Sequence, residues 1–384
     1  MRRFKRTLVA AALTTTVIAG TAGWATGNQQ QAVTGPPPGT TAWRTDQVLH
    51  RDLPDPASAG PATVARFFAS LSEAQRQELA ARHPLVVGNL DGAPVALRYQ
   101  ANRWAISAEE AGERARAADS SQAPYQRQAA ADRAERYRKL LAPGRQILAF
   151  DPRGRGQLAE VYGDLAAARH TAVVVPGSDI DLGSFDRDRD PYGTPAGMAR
   201  SLRAELARQA PGTPTAVIAW AGYTTPVGLG LDAATGRLAQ AGAPRLDRFL
   251  GGLAATGTPA PAVFCHSYGS VVCGLAAHTL DRAEAGDLVV LGSPGVRAES
   301  AAGLHTRARV WAVRRDHGDW IGDIPHVEIL GLGHGADPTA EDFGARPVSS
   351  AGAHGHTGYF APGTESLHNF ARITLGAYGA VSTG

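Results

Sequence analysis

Lysine is nearly missing from this chain of 384 residues, which has only Lys5 and Lys139, while arginine is plentiful. That imbalance points to a GC-rich coding sequence rather than to a basic binding surface. A surplus of charge is lacking too. The formal net charge is +3, and it falls to −1 once Arg2, Arg3, Lys5 and Arg6 are set aside. A near-neutral body has no electrostatic reason to seek nucleic acid. Past the N-terminal leader, no stretch is long and apolar enough to cross a bilayer. There is no Walker motif and no dinucleotide fingerprint, and no His/Cys cluster has zinc spacing. The segment "DRDRDP" (186–191) spaces three aspartates as a calcium loop does. Yet Pro191 stands where that loop needs glycine, and Gly197 where it needs its closing glutamate, so it reads as a solvated loop. No cofactor and no metal are expected.

Cysteine is scarce as well. Cys265 and Cys273 are eight positions apart, one at the end of an expected strand and one inside the following helix. That placement predicts Cα atoms roughly 10 Å apart, too far for a bridge. Two buried free thiols are the expectation.

What is present begins with a leader. Four cationic residues precede an uncharged stretch from Thr7 to Gly23, and Gly23-Trp24-Ala25 offers a small-x-small cleavage pattern. Residues 1–25 therefore read as a secretory signal peptide, and a secreted, extracellular protein with no stable membrane span is expected. The alternative is an uncleaved leader acting as a membrane anchor, against which Thr14, Thr15 and Thr16 weaken the apolar core. Residues 26–61, rich in Gln, Thr, Pro and Gly without apolar periodicity, read as a flexible or extended linker.

From 62 to 143 the texture is helical. Ser72 with Gln75 forms a capping box before a helix that stops at Pro84. Ser107 with Glu110 predicts the start of a long charged helix toward Leu141, broken near Pro124. "GNLDG" and "ANR" read as a turn and a helix start that dock this layer on the main body, rather than as a lid.

The pattern changes in 144–384. Short β-branched runs at 145–151, 170–177, 214–222, 261–265, 286–295 and 308–316 alternate with helical segments. Such alternation predicts an α/β domain, a mostly parallel sheet covered by helices on both faces. Ser267 in "VFCHSYGSVV" directly follows one strand and directly precedes a helix. A sharp strand-to-helix turn there would expose its Oγ above the sheet as a nucleophile, the arrangement of an α/β-hydrolase. Gly269 supplies the small residue two positions after it. Cys265 stands where glycine is usual in G-x-S-x-G.

A nucleophilic serine needs a base, and the base an orienting carboxylate, in the chain order Ser, Asp/Glu, His. The loop "DHGDWIGDIP" offers Asp316 and Asp319, and Asp319 fits the usual acid position because apolar Ile321 follows two residues later. For the base, the glycine-rich loop "AGAHGHTGYFAPG" offers His354 and His356. It lies between the expected last strand, "ARPVSS", and the final helix. His334 is expected to make structural hydrogen bonds, His368 to lie on the terminal helix, and His266 to point away from the nucleophile. An oxyanion hole needs two backbone donors. The amide of Tyr268 is one, and Ser178, after Gly177 in "VVVPGSDID", is the other.

Residues 62–378 resemble an actinobacterial α/β-hydrolase family of unknown function whose elbow usually reads GHSYGS. The resemblance rests on "LSEAQRQELAARHPLVVGNLDGAPVALRYQANR", "LGHGADP" and "GHTGYF…SLHNFARI". The family pattern, with its terminal histidine before x-x-Tyr, implies His356 rather than His354. Cys265 departs from the elbow glycine. The resemblance implies a serine hydrolase without naming a substrate. The expectation is a secreted esterase with the triad Ser267, Asp319 and His356, acting on a small-molecule or lipid-like ester. Thioester and amide hydrolysis would use the same parts. A noncatalytic binding protein on the same scaffold is the rival.

Overall fold

A computed structural model describes residues 29–313, 318–329 and 331–383. The leader and Asp316 lie outside the described residues. The strands are β1 (Gln146–Asp151), β2 (Gln157–Gly163), β3 (His170–Val175), β4 (Thr215–Ala221), β5 (Ala262–His266), β6 (Asp287–Leu291), β7 (Gly295–Ala298), β8 (Arg309–Val313), β9 (Glu328–Ile329), β10 (Leu332–Gly335) and β11 (Arg346–Val348). Eight form one sheet in the order β1-β2-β4-β3-β5-β6-β8-β11, and β7, β10 and β9 form a small second sheet. Only β2 runs against its neighbours β1 and β4, and the other pairs of the large sheet are parallel.

The central strands β4, β5 and β6 are buried along their whole length. Continuous apolar runs form strands here because both faces are covered. Helices Arg237–Ala255 and Gly269–Ala276 pack on one face, and Pro195–Gln209 and Glu365–Thr374 on the other. Six of the seven expected strands, "ARPVSS" included, stand close to their predicted bounds. The seventh, 286–295, stops at Leu291, and the chain re-enters extended structure as β7. Strand β2 was not foreseen. "QLAEVYG" mixes polar and apolar residues, and the buried Glu160 is satisfied by a fork from Arg145 on both its oxygens, at 2.7 and 2.5 Å, and by Tyr162 OH at 2.8 Å.

The N-terminal layer has its own core, in which Val64, Phe68, Leu79, Val86 and Leu97 pack around Trp43. Trp43 comes from the stretch expected to be a flexible linker, and that expectation is corrected. A short helix, Thr40–Arg44, carries it into the core, and its indole donates to Pro54 O at 2.8 Å. Burying one tryptophan outweighs the linker-like composition around it, since aromatic burial dominates local energetics. The capping box of Ser72 and Gln75 is present. The long helix, however, starts at Val95 rather than near Ser107 and runs to Ala118, with the next from Pro124 to Leu140.

"GNLDG" and "ANR" dock this layer as expected. The Asn89 carboxamide donates to Phe150 O at 2.7 Å and accepts from Phe150 N at 3.0 Å, and Asn102 donates to Ile147 O at 3.0 Å. Both contacts satisfy backbone groups of the edge strand β1, which would otherwise be open to pairing.

Candidate active site

Strand β5 ends at His266 and the next helix begins at Gly269, so the chain reverses within three residues. Ser267 makes the reversal in the left-handed region, with φ at +54°. For a non-glycine residue that conformation costs on the order of 1–3 kcal/mol. The backbone around it is held by Ser267 N donating to Leu291 O at 3.0 Å and by Ser270 Oγ donating to Ser267 O at 2.6 Å. Crowding explains the glycines. A Cβ on Gly269 would meet Val175 O at 2.5 Å, and one on Gly177 would meet the Ser267 Cβ at 2.5 Å.

The same reversal overturns the expectation of free thiols. Cys265 and Cys273 form a disulfide across a Cα–Cα distance of 6.3 Å. The helix after the elbow folds back against the strand that precedes it. Residues two before and six after the serine therefore come within bridging range.

Three predicted side chains meet at the carboxyl end of the sheet. Ser267 Oγ lies 2.8 Å from His356 Nε2, and His356 Nδ1 lies 2.8 Å from Asp319 Oδ1. Asp319 also accepts from Ile321 N at 3.0 Å, capping the turn Trp320–Asp323. Its second oxygen accepts a hydrogen bond from Tyr359 OH at 2.5 Å. Burial works to raise the Asp319 pKa, but the hydrogen bonds from His356 and Tyr359 outweigh it and hold the carboxyl below its usual range. Asp319 is thus an anion fixed on both oxygens. In this arrangement the imidazole carries its proton on Nδ1 and turns the Nε2 lone pair toward the serine. His354 is exposed, two residues away.

The two backbone positions predicted to cradle an oxyanion also adjoin Ser267. The Tyr268 amide stands at the N-terminus of helix Gly269–Ala276 and has no acceptor among the described residues. It faces Gly177, where an added Cβ would approach it to 3.1 Å. Ser178 follows on a loop pinned from the β4 side. There Tyr223 OH donates to Pro176 O at 2.7 Å, Thr225 Oγ1 donates to Ile180 O at 2.6 Å, and Asp179 N donates to Pro226 O at 2.8 Å.

Four residues at the site were not read from the sequence in these roles. Tyr359 holds Asp319, and its position three after His356 was used only to choose the histidine. His266 does not simply face away. Its Nε2 donates to the His356 carbonyl at 2.8 Å, and its ring centroid is 4.8 Å from that of His356. Trp320, 41% exposed, sets its ring centroid 4.8 Å from that of His356. Tyr223 gives no sequence signal, because its partner lies 47 residues away. The remaining histidines behave as expected. His334 Nε2 donates to Ala233 O at 2.7 Å, and His368 lies on the terminal helix.

A family model described as an alpha/beta hydrolase matches residues 151–329. This chain has the α/β-hydrolase fold. Its strand order and the elbow after β5 agree with that assignment. Uncharacterized proteins from two strains of Mycobacterium tuberculosis are 30% identical to this chain over 386 aligned positions, covering 84% of it. The chain spans 57% of the length of these relatives. Among solved structures, a 2,6-dihydroxy-pseudo-oxynicotine hydrolase is 11% identical, with a TM-score of 0.38 over 90% of this chain and 95% of that one. An α/β serine hydrolase without a lid from Xanthomonas campestris is 16% identical, with a TM-score of 0.32 over 63% of this chain and 98% of that one.

Proposed function

We propose that this α/β-hydrolase is an exported serine hydrolase that cleaves a carboxylic ester through an acyl-enzyme. The observation that carries the reading is the unbroken hydrogen-bonded relay from Ser267 through His356 to Asp319, with 2.8 Å at both histidine contacts. Ser267 Oγ attacks the ester carbonyl while His356 Nε2 takes its proton. The carbonyl π electrons move to oxygen, and the amides of Tyr268 and Ser178 stabilise that charge. As the tetrahedral intermediate collapses, the ester C–O bond breaks and His356 returns the proton to the departing alcohol. Water then attacks the acyl-serine by the same route in reverse roles and releases the acid and free Ser267. Asp319 stays ionised throughout and stabilises the imidazolium. Export follows from the leader: cleavage after Ala25 would release a mature chain starting near Thr26.

The test is labelling of the full chain with a fluorescent fluorophosphonate, alongside turnover of p-nitrophenyl esters and the matching anilide. The parent should label and hydrolyse the ester, while Ser267→Ala and His356→Ala do neither at equal folded concentration by circular dichroism. His354→Ala should keep substantial activity, and Asp319→Asn should lose about four orders of magnitude in turnover. A folded parent that neither labels nor turns over ester would end the catalytic reading in favour of a binding scaffold. Anilide cleavage outpacing ester cleavage would overturn the substrate class alone.

A further inference from the structure

A cavity lined by several charged side chains lies apart from the triad. It has a volume of about 260 Å³ and sits between the C-terminal end of β1, the start of β2, the end of β4 and helix Arg237–Ala255. The N-terminal segment closes one side with Gly35, Pro36 and Pro37. Four guanidinium groups line it, from Arg98, Arg153, Arg245 and Arg248, against two carboxylates, Asp91 and Asp151. The wall therefore carries two more positive charges than negative ones.

Those charges are unevenly matched. Asp151 is consumed by a fork from Arg153, with Nη2 at 2.6 Å from Oδ2 and Nε at 2.9 Å from Oδ1. Asp91 must serve both Arg98, at 3.1 Å without hydrogen-bond geometry, and Arg248, at 3.8 Å. Arg245 has no carboxylate within ion-pair distance among the described residues, and its Nε donates to Gly222 O at 2.6 Å. Gln157 is 4% exposed, and neither its Oε1 nor its Nε2 has a hydrogen-bond partner. Burying an unpartnered carboxamide beside a guanidinium that lacks a carboxylate is unfavourable. A protein keeps such an arrangement where something else completes it.

We propose that this cavity binds a small dianionic oxyanion, a phosphate or a dicarboxylate. Arg245 and Arg248 would hold its charge, and Gln157 would donate to one of its oxygens. Two negative charges match the surplus of the wall, and planar guanidinium forks suit the oxygen pairs of phosphate and carboxylate alike. The volume lies below the range of drug-sized sites, which restricts the ligand to a small molecule. None of the lining residues belongs to the triad, so the site stands or falls separately from the esterase reading.

Isothermal titration of the full chain with inorganic phosphate and with succinate, at ionic strength held constant with sodium chloride, tests this. One-to-one binding of either probe is expected, and the tighter of the two identifies the chemistry of the natural ligand. Arg245→Met should weaken binding at least tenfold, and Arg245→Lys, which keeps the charge without the fork, should weaken it less. Circular dichroism and urea denaturation matching the parent report that both variants are folded. Absence of binding heat for both probes in the parent overturns the proposal, whatever the variants do. Binding that survives unchanged in folded Arg245→Met overturns it too.

Discussion

Acid should destabilise this protein through two histidines that the fold keeps neutral. Burial pushes His266 down to about 3, with the neighbouring His356 adding to the effect, and burial pushes His334 down to about 4. The geometry supplies the reason for His334. Its Nε2 donates to Ala233 O, while Nδ1 is buried without a partner, so a second proton would have no acceptor. In the unfolded chain both rings titrate near 6.5. Between that value and about 4 the unfolded chain binds two protons that the native state refuses. Stability then rises with pH across the window, is complete above it, and is lost as the pH falls. Each proton contributes about 1.36 kcal/mol per pH unit at full slope, so going from pH 7 to 5.5 should remove about 2.5 kcal/mol in all. That is a large part of a typical folding free energy. Asp91 and Asp287, whose pKa values burial raises, act in the opposite sense, so the decisive measurement is a difference. Urea denaturation at pH 7 and 5.5 should give a loss smaller than the parental one by about 1.2 kcal/mol in His334→Gln, whose carboxamide can still donate to Ala233. The same pH-dependent change in parent and variant would refute the reasoning.

Two further outcomes are expected. Tyr359→Phe removes one of the hydrogen bonds that hold Asp319 ionised, an interaction with a charged group worth about 1.5–3 kcal/mol. Turnover should fall roughly tenfold to a hundredfold, and the Asp319 pKa should rise, moving the acid limb of the activity profile upward; an unmoved profile would count against the assignment. Cys265 and Cys273 should be bonded in the purified protein, seen as an intact mass lower by two hydrogen atoms than after reduction. Closing so short a loop constrains the unfolded chain by about 2.5 kcal/mol, which urea denaturation of Cys265→Ala/Cys273→Ala should recover.

Much of the C-terminal half was legible because its signals are local. β-branched runs bounded by glycine and proline gave the parallel strands, and a serine between a buried strand and an apolar helix gave the elbow. Chain order alone narrowed the base to His354 or His356 and the acid to Asp316 or Asp319. The choice of His356 came from resemblance, and the structure brings that histidine to Ser267. What sequence could not reach were contacts between distant segments. The buried fork of Arg145 on Glu160 makes a strand of a run whose composition argues against one. Trp43 turns a proline-rich stretch into part of a core, because one large apolar side chain can anchor many polar neighbours.

Cys265 shows how a correct local reading can still yield a wrong contact. The elbow requires a small residue at this position, and a strand followed by a helix places Cys273 out of reach when the two are taken as extending apart. Yet the tightness that demands small residues also folds the helix back over its strand. A Cβ on Gly269 would meet the β3 carbonyls of Val175 and, one residue later, Pro176, so the first helical turn lies against the sheet itself. With the helix held that close, Cys273 in its second turn must lie near the end of β5, and the Cα–Cα distance of 6.3 Å follows. The departure from glycine and the disulfide are then one feature. A cysteine is small enough for the position, and its bond to the helix braces the two arms of the turn that strains Ser267.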